Sequence, residues 1–373
     1  MKSHIAEYVS PGHPDRLADA IVESIVDLAV GRDSKALVGV ECAVHTDHVF
    51  IDGRIAARKG KCAVTNEEIE EIARKVYREA GYGGAWIHAP EKLKVIQNVC
   101  LEPLSDDERA IRSLSDDQNV VTGFACNHPE TDYLPPAHFI ANYIGRKVDG
   151  WRRTVSDKFG PDFKVLVHIY DNGGRYEWRR LTLSIQHREG VFAAEQHELV
   201  LPVVSGALAE LEARGLAGIS NLPLENFILN GMGDFIVGGP EGDNGLSGKK
   251  LAVDFYGPEI PIGGGAICGK DPHKVDVAGA FRARELARRL LKERGGSAVT
   301  VRLGWTPGDA APAFREAESI DSLGLTHPIP ASALPPEDWF RIDTIVSEMR
   351  LATLVRRERV LAGYFVDSRA FER

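Results

Sequence analysis

Apolar and small residues first recur at helical spacing at Leu17, Ala20, Ile21, Ser24, Ile25, Leu28 and Ala29, one face of an amphipathic helix. Two alternating stretches follow at about 37–44 and 49–57, joined by Thr46-Asp47-His48, and read as paired strands. A second helix opens with Thr65 and Glu68 at capping-box spacing and closes at Gly81. The arrangement then recurs. Val165, Val167 and Ile169 alternate up to the turn Asp171-Asn172-Gly173-Gly174, Leu181, Leu183 and Ile185 alternate on the return strand, and a helix is predicted over about 193–213. A third unit has strands near 226–238 and 249–255, a helix near 276–293 stopped by Gly295-Gly296, and a strand near 297–305. Three hairpin-plus-helix units predict an α+β fold of antiparallel-rich sheets, each covered by helices on one face. The stretch from 98 to 116 has little periodicity and reads as a mobile loop, either a plain solvated surface loop or a lid over a site. The chain divides on this pattern into 1–98, the loop 99–116, 117–232 and 233–373.

Composition narrows the function classes. The 373 residues carry 45 Lys and Arg against 54 Asp and Glu, a net charge of −9 that argues against a nucleic-acid-coating protein. Glycine is frequent, at 37 residues without a period of three, which favours tight turns and ligand-cradling loops. The five cysteines, Cys42, Cys62, Cys100, Cys126 and Cys268, form no CxxC pair and suggest neither a disulfide framework nor structural zinc. No apolar run is long enough for a membrane span and the first residues lack a signal-peptide core, so a cytoplasmic protein is expected.

Four motifs could carry chemistry. Gly12-His13-Pro14-Asp15-Arg16 precedes the first helix, where Pro14 and Asp15 suit a plain N-terminus and where His13 and Asp15 would also suit a phosphorylated ligand and a hard cation. The run from Gly238 to Lys250 holds five glycines, the last in its closing Gly-Lys-Lys, more than a hairpin needs, so backbone amides can approach anionic oxygens. The run from Gly263 to Asp276 fits GxxxxGK at Gly264–Lys270, but Asp271 replaces the required Ser/Thr and no apolar strand enters it, which excludes a Walker loop. What remains there is a glycine loop with Lys270, Lys274 and Asp276, suited to a polyphosphate with Mg²⁺. In Pro161-Asp162-Phe163-Lys164, strand alternation puts Asp162 and Lys164 on one face. No Ser/His/Asp or HExxH pattern is present.

In order along the chain, VSPGHPDRLAD, Asp117-Gln118, Glu130-Thr131-Asp132, PDFK at 161–164, SIQH at 184–187, FIVGGPEGDNGLSGKK and GGGAICGKDPHKVD resemble the S-adenosylmethionine synthetases. The resemblance implies three similar subdomains in pseudo-threefold arrangement and a homodimer, or homotetramer, with active sites between subunits. It implies ATP and L-methionine as substrates, hydrolysis of the triphosphate to pyrophosphate and phosphate, two Mg²⁺ per site, and K⁺. On this resemblance His13, Lys164, Lys249, Lys250 and Lys270 contact the triphosphate, and Asp15 and Asp276 hold Mg²⁺. Glu41 lies at the K⁺ site, Phe235 stacks on adenine and Asp162 holds the nucleoside. Gln97, Asp117, Asp243 and Lys274 border methionine. A thioether has no proton to lose, so attack on C5′ needs positioning and charge neutralisation rather than a general base.

Several positions depart from the family pattern. Arg16 and Lys249 exchange one cation for another. Asp116 adds a carboxylate beside Asp117, and Arg54 stands where a glutamate would help hold the methionine ammonium. A guanidinium about 4 Å from an ammonium is repelled by about 4 kcal/mol at an effective dielectric of 20. Either Arg54 points elsewhere, or the sulfur substrate is a methionine analogue carrying an extra carboxylate. Asp234, which replaces an arginine, offers Arg54 a compensating charge. A polyphosphate hydrolase and a non-catalytic nucleotide-binding subunit are the remaining alternatives.

Overall fold

A computed structural model describes residues 1–58 and 64–366, so Cys62 lies outside the described residues. The chain opens with strand β1 (Lys2–Val9) and helix α1 (Pro14–Arg32), then the strands β2 (Leu37–His45) and β3 (His48–Arg58). Helix α2 (Asn66–Ala80), strand β4 (Lys94–Leu104), the single-turn helix α3 (Asp106–Ala110) and strand β5 (Asn119–Cys126) come next. Helix α4 (Pro136–Arg152) leads into the hairpin β6 (Phe159–Asp171) and β7 (Tyr176–His187), followed by α5 (Ala193–Ala213) and the short strands β8 (Phe227–Leu229) and β9 (Gly245–Leu246). After α6 (Leu251–Asp254) and α7 (Val275–Arg294) come β10 (Ala298–Trp305), β11 (Phe314–Ile320) and β12 (Thr326–Pro328). Helices α8 (Ile342–Glu348) and α9 (Arg356–Ala362) close the described chain.

The strands form three four-stranded sheets, ordered β1-β6-β7-β8, β12-β11-β10-β5 and β4-β3-β2-β9. Helices pack against each: α4 on the first, with α5 against α4, α7 on the second, and α1 and α2 on the third. This is the expected α+β architecture in triplicate. The sheets do not follow the chain-order division, because β1 joins β6, β5 joins β10, and β9 joins β2. Those long-range pairings carry the loops around 238–250 and 263–274 onto the N-terminal third of the chain.

Local rules account for the elements. His13 caps α1 with its ring, accepting the Asp15 N–H at 3.1 Å, and Thr65 and Glu68 form the expected capping box on α2. One core lies between α1, α2 and the third sheet, and a second, continuous core fills the other two sheets.

Three expectations need correction. Residues 98–116 are not one loop: β4 runs to Leu104, paired in parallel with β3, and α3 follows. Leu101, Glu102 and Pro103 are all exposed, which hid the strand's alternation. The stretch 249–255 is the turn of helix α6, and the strand near 226–238 shrinks to β8 because the following glycines make an open loop.

Candidate active site

The N-terminus of α1 is the hub. Because His13 Nδ1 accepts the Asp15 amide, its proton belongs on Nε2. Burial, together with the nearby Lys164 charge, lowers the His13 pKa to about 3, so the ring is a neutral donor. Asp15, 1% exposed, accepts the Leu246 N–H at 2.9 Å and the Lys250 ammonium, with Lys249 at 3.8 Å. Burial pushes its carboxyl up, but the Lys250 and Leu246 hydrogen bonds outweigh that and hold it below the ordinary value. Glycine is required at Gly245, where a Cβ would collide with the Pro14 backbone. That contact places Lys249 and Lys250 beside Asp15.

Next to this hub is a cavity of about 530 Å³ lined by His13, Asp162, Lys164, Phe235 and Asp243, with Ser184 on its wall. Gly239, at φ +64°, donates its N–H to Asp162 Oδ2 at 2.7 Å. Burial raises the Asp162 pKa to about 6 against that hydrogen bond. The Phe235 N–H donates to His187 Nε2 at 3.0 Å, which fixes the backbone beneath the half-buried ring. The cavity offers an aromatic face, a buried carboxylate and a lysine, the pieces that hold a nucleoside and its first phosphate.

A second cavity, of about 620 Å³, lies over the outer face of the third sheet under the loop 263–274. Glu41, Asp52, Lys270 and Lys274 line it. Lys270 Nζ donates to Asp276 Oδ1 at 2.7 Å, and Asn119 Nδ2 donates to the same oxygen at 2.9 Å. Lys274 Nζ donates to Asp116 Oδ2 at 2.7 Å. The loop is fastened at both sides. The Val40 N–H donates to the Gly269 carbonyl at 3.0 Å, and the buried Arg356 donates to the carbonyls of Ile267, at 2.8 Å, and Lys270.

Most of the expected site residues therefore converge: His13, Asp162, Lys164, Phe235 and Asp243 around the first cavity, Asp15, Lys249 and Lys250 at the hub, and Glu41, Lys270, Lys274 and Asp276 around the second. Three do not. Gln97 is in register with the core residue Ile51, on the helix side of the sheet, where its amide donates to the Asn66 carbonyl at 2.9 Å. Asp117 is exposed, and among the described contacts its carboxylate accepts only the Gln118 N–H. Arg54 donates to Glu108 at 2.7 Å and lies 3.8 Å from Glu102, so it is drawn off toward α3 and away from Asp234, which sits 3.8 Å from His187. With Arg54 so occupied, the motive for a substrate bearing an extra carboxylate falls away. Asp52, Asn119 and Arg356 were missed by sequence reasoning. Outward alternation on β3 could have found Asp52; nothing local marks Arg356.

The comparisons with known proteins fall on the same segments. Residues 2–100 match the N-terminal domain of S-adenosylmethionine synthetase, and residues 237–372 match its C-terminal domain. The chain belongs to the S-adenosylmethionine synthetase family. The S-adenosylmethionine synthase of Parvibaculum lavamentivorans is 33% identical over 314 residues, covering 82% of this chain and 77% of that protein. That of a Bradyrhizobium species is 34% identical over 328 residues, covering 82% and 78%. The fold resembles that of an unusual S-adenosylmethionine synthetase from Campylobacter jejuni, with a TM-score of 0.80 at 24% identity, covering 100% of this chain and 98% of that one.

The carboxylates suit the divalent ions this family fold implies. Among the described residues no three His, Cys, Asp or Glu side chains cluster as a closed metal cage. Asp15 and Asp276 instead each offer one carboxylate beside lysines, which fits Mg²⁺, an ion that fills its sphere with phosphate oxygens and water. Glu41 faces the second cavity, directly opposite Asp52, and its exposed carboxylate suits a univalent cation beside it. No helix among the described residues is long and apolar enough to cross a membrane.

Proposed function

We propose that this chain joins C5′ of ATP to the sulfur of L-methionine, giving S-adenosylmethionine, and then hydrolyses the released triphosphate to pyrophosphate and phosphate. One observation carries the reading: Lys164 lines a nucleoside-sized cavity, Lys249 and Lys250 pair with Asp15 at the hub beside it, and Lys270, which lines the second cavity, pairs with Asp276. A polyphosphate draws the lysines onto its oxygens and releases the two carboxylates. Mg²⁺ held at Asp15 and Asp276, two ions per site, would neutralise the leaving triphosphate, and K⁺ near Glu41 would add to the local field.

Phe235 stacks on the adenine and Asp162 accepts from the nucleoside. Neutral His13 donates from Nε2 toward the triphosphate as the bond to C5′ breaks. No side chain needs to remove a proton, because the thioether attacks with its lone pair and becomes the sulfonium. Catalysis then rests on in-line positioning and on donors aimed where negative charge grows on the leaving oxygen. Lys274 receives the methionine carboxylate and Asp243 borders the substrate. The relatives' names favour neither the hydrolase nor the non-catalytic alternative.

Self-association belongs to the same reading. The outer face of the third sheet exposes Phe50, Ile96 and Leu246 beside the second cavity, an apolar patch that a second copy would cover. Light scattering should return a dimer or tetramer. The test of the reaction is mass spectrometry of protein incubated with ATP, methionine, Mg²⁺ and K⁺, with each omitted in turn. S-adenosylmethionine should form only with ATP and methionine together and fall sharply without Mg²⁺; ATP consumption without sulfonium would overturn the reading.

A further inference from the structure

We infer that Asp52, rather than the residue at position 54, is the acceptor for the substrate's α-ammonium group. This rests on the proposed use of methionine and assigns the subsite that selects its amino end.

The outer face of the third sheet sets the geometry. Gly39 and Glu41 alternate outward on β2, and their cross-strand partners on β3 are Arg54 and Asp52. A Cβ at Gly39 would lie 3.6 Å from Lys274 Cε, so the lysine stem runs across that glycine. Lys274 therefore ends beside two side chains of β3, one cationic and one anionic. The cation has been removed from the cavity: Arg54 donates to Glu108 at 2.7 Å, with Glu102 at 3.8 Å, both on the β4–α3 side. Asp52 lines the cavity with Lys270 and Lys274, and no described cation pairs with it.

Directly opposed like charges on a strand pair are unfavourable, and Glu41 faces Asp52. The pair is relieved when cations bind between or beside them. Lys274, meanwhile, holds Asp116, a carboxylate the substrate's own carboxylate can replace. Neighbours on one sheet face stand roughly 5–8 Å apart. An α-amino acid spans that interval, its two charged ends one carbon apart and each adding a charge-assisted hydrogen bond of about 2.8 Å. An anion to pair with Lys274 and a cation to pair with Asp52, in one molecule, describe a zwitterion.

The test uses the full-length enzyme with ATP, Mg²⁺ and K⁺, comparing methionine with its des-amino analogue, 4-(methylsulfanyl)butanoate. Asp52→Asn should raise the methionine KM by roughly 10- to 100-fold, the loss of a hydrogen bond to a charged group. It should leave the ATP KM and the K⁺ activation constant within about 2-fold, and barely move the KM of the analogue, on the same scale. Asp52→Glu should restore part of the methionine affinity. Arg54→Gln should shift the methionine KM by less than about 3-fold, as a surface pair does. An unchanged methionine KM in D52N overturns the assignment, as does an altered K⁺ constant with methionine unaffected, which would make Asp52 a metal ligand. Should D52N fail to fold, D52S provides the same comparison. Wild-type enzyme that forms no sulfonium from methionine overturns the underlying reading instead.

Discussion

Arg356 shows how far from the substrate the site is built. The residue is 2% exposed; its guanidinium donates to Glu23 Oε1 at 2.9 Å and to the Ile267 and Lys270 carbonyls. Glu23 is fully buried and takes a second hydrogen bond from the Tyr364 hydroxyl. Burial raises its pKa from 4.5 to about 7, with Arg356 pulling the other way. Replacing Arg356 with Met keeps the hydrocarbon volume and removes the charge. With Glu23 ionised, at about pH 8, a buried carboxylate is left without its cation, a cost of about 3–5 kcal/mol. At about pH 5 Glu23 is protonated in the folded state, and only the two carbonyls lose their donor, about 1–2 kcal/mol. A buried acid with a raised pKa binds more protons folded than unfolded, so its stability contribution falls as pH rises through 4.5 to about 7. R356M moves the upper edge of that window higher. Urea unfolding of wild type, R356M, E23Q and the double variant at both pH values measures the effect. R356M should cost at least about 2 kcal/mol more at the higher pH, and E23Q should erase the difference. Equal cost at both pH values would refute the role assigned to the Arg356–Glu23 pair.

Other expectations concern the site itself. Lys270→Met should lower the rate of sulfonium formation by roughly 10²–10³-fold, as loss of a donor to developing charge does, and slow hydrolysis of added tripolyphosphate as well. Asp162, with its pKa near 6, must be ionised to accept from the nucleoside; the ATP KM should climb as pH falls through that value, and Asp162→Asn should flatten the dependence. Asp116→Asn removes the partially exposed competitor for Lys274 and should lower the methionine KM by at most about 5-fold.

The fold class was legible because α1, α2, α5 and α7 and the β6–β7 hairpin obey local periodicity and carry local stop signals. Helix α5, for example, spans the 193–213 window read from its pattern. The strand pairings were not legible: β1 with β6 and β5 with β10 are contacts between distant segments, and no local rule specifies them. The site divides in the same way. Glycine-rich loops and their lysines announce anion chemistry in the sequence itself. Gln97 was misplaced because a strand's period of two decides the face, and the strand had not been recognised. Arg54 looked anomalous because its partner, Glu108, is 54 residues away on a helix read as loop. Arg356 was invisible because burial, not pattern, defines its role.

On the proposed function, one charged site transfers adenosyl to sulfur and then cleaves the triphosphate it has just released. A single-turnover experiment with excess enzyme, labelled ATP and labelled methionine tests it most directly, by counting sulfonium, pyrophosphate and phosphate at successive quench times. Equal final amounts of all three are expected, with sulfonium appearing no later than phosphate. Phosphate that forms without sulfonium, or ADP as a product, would contradict it.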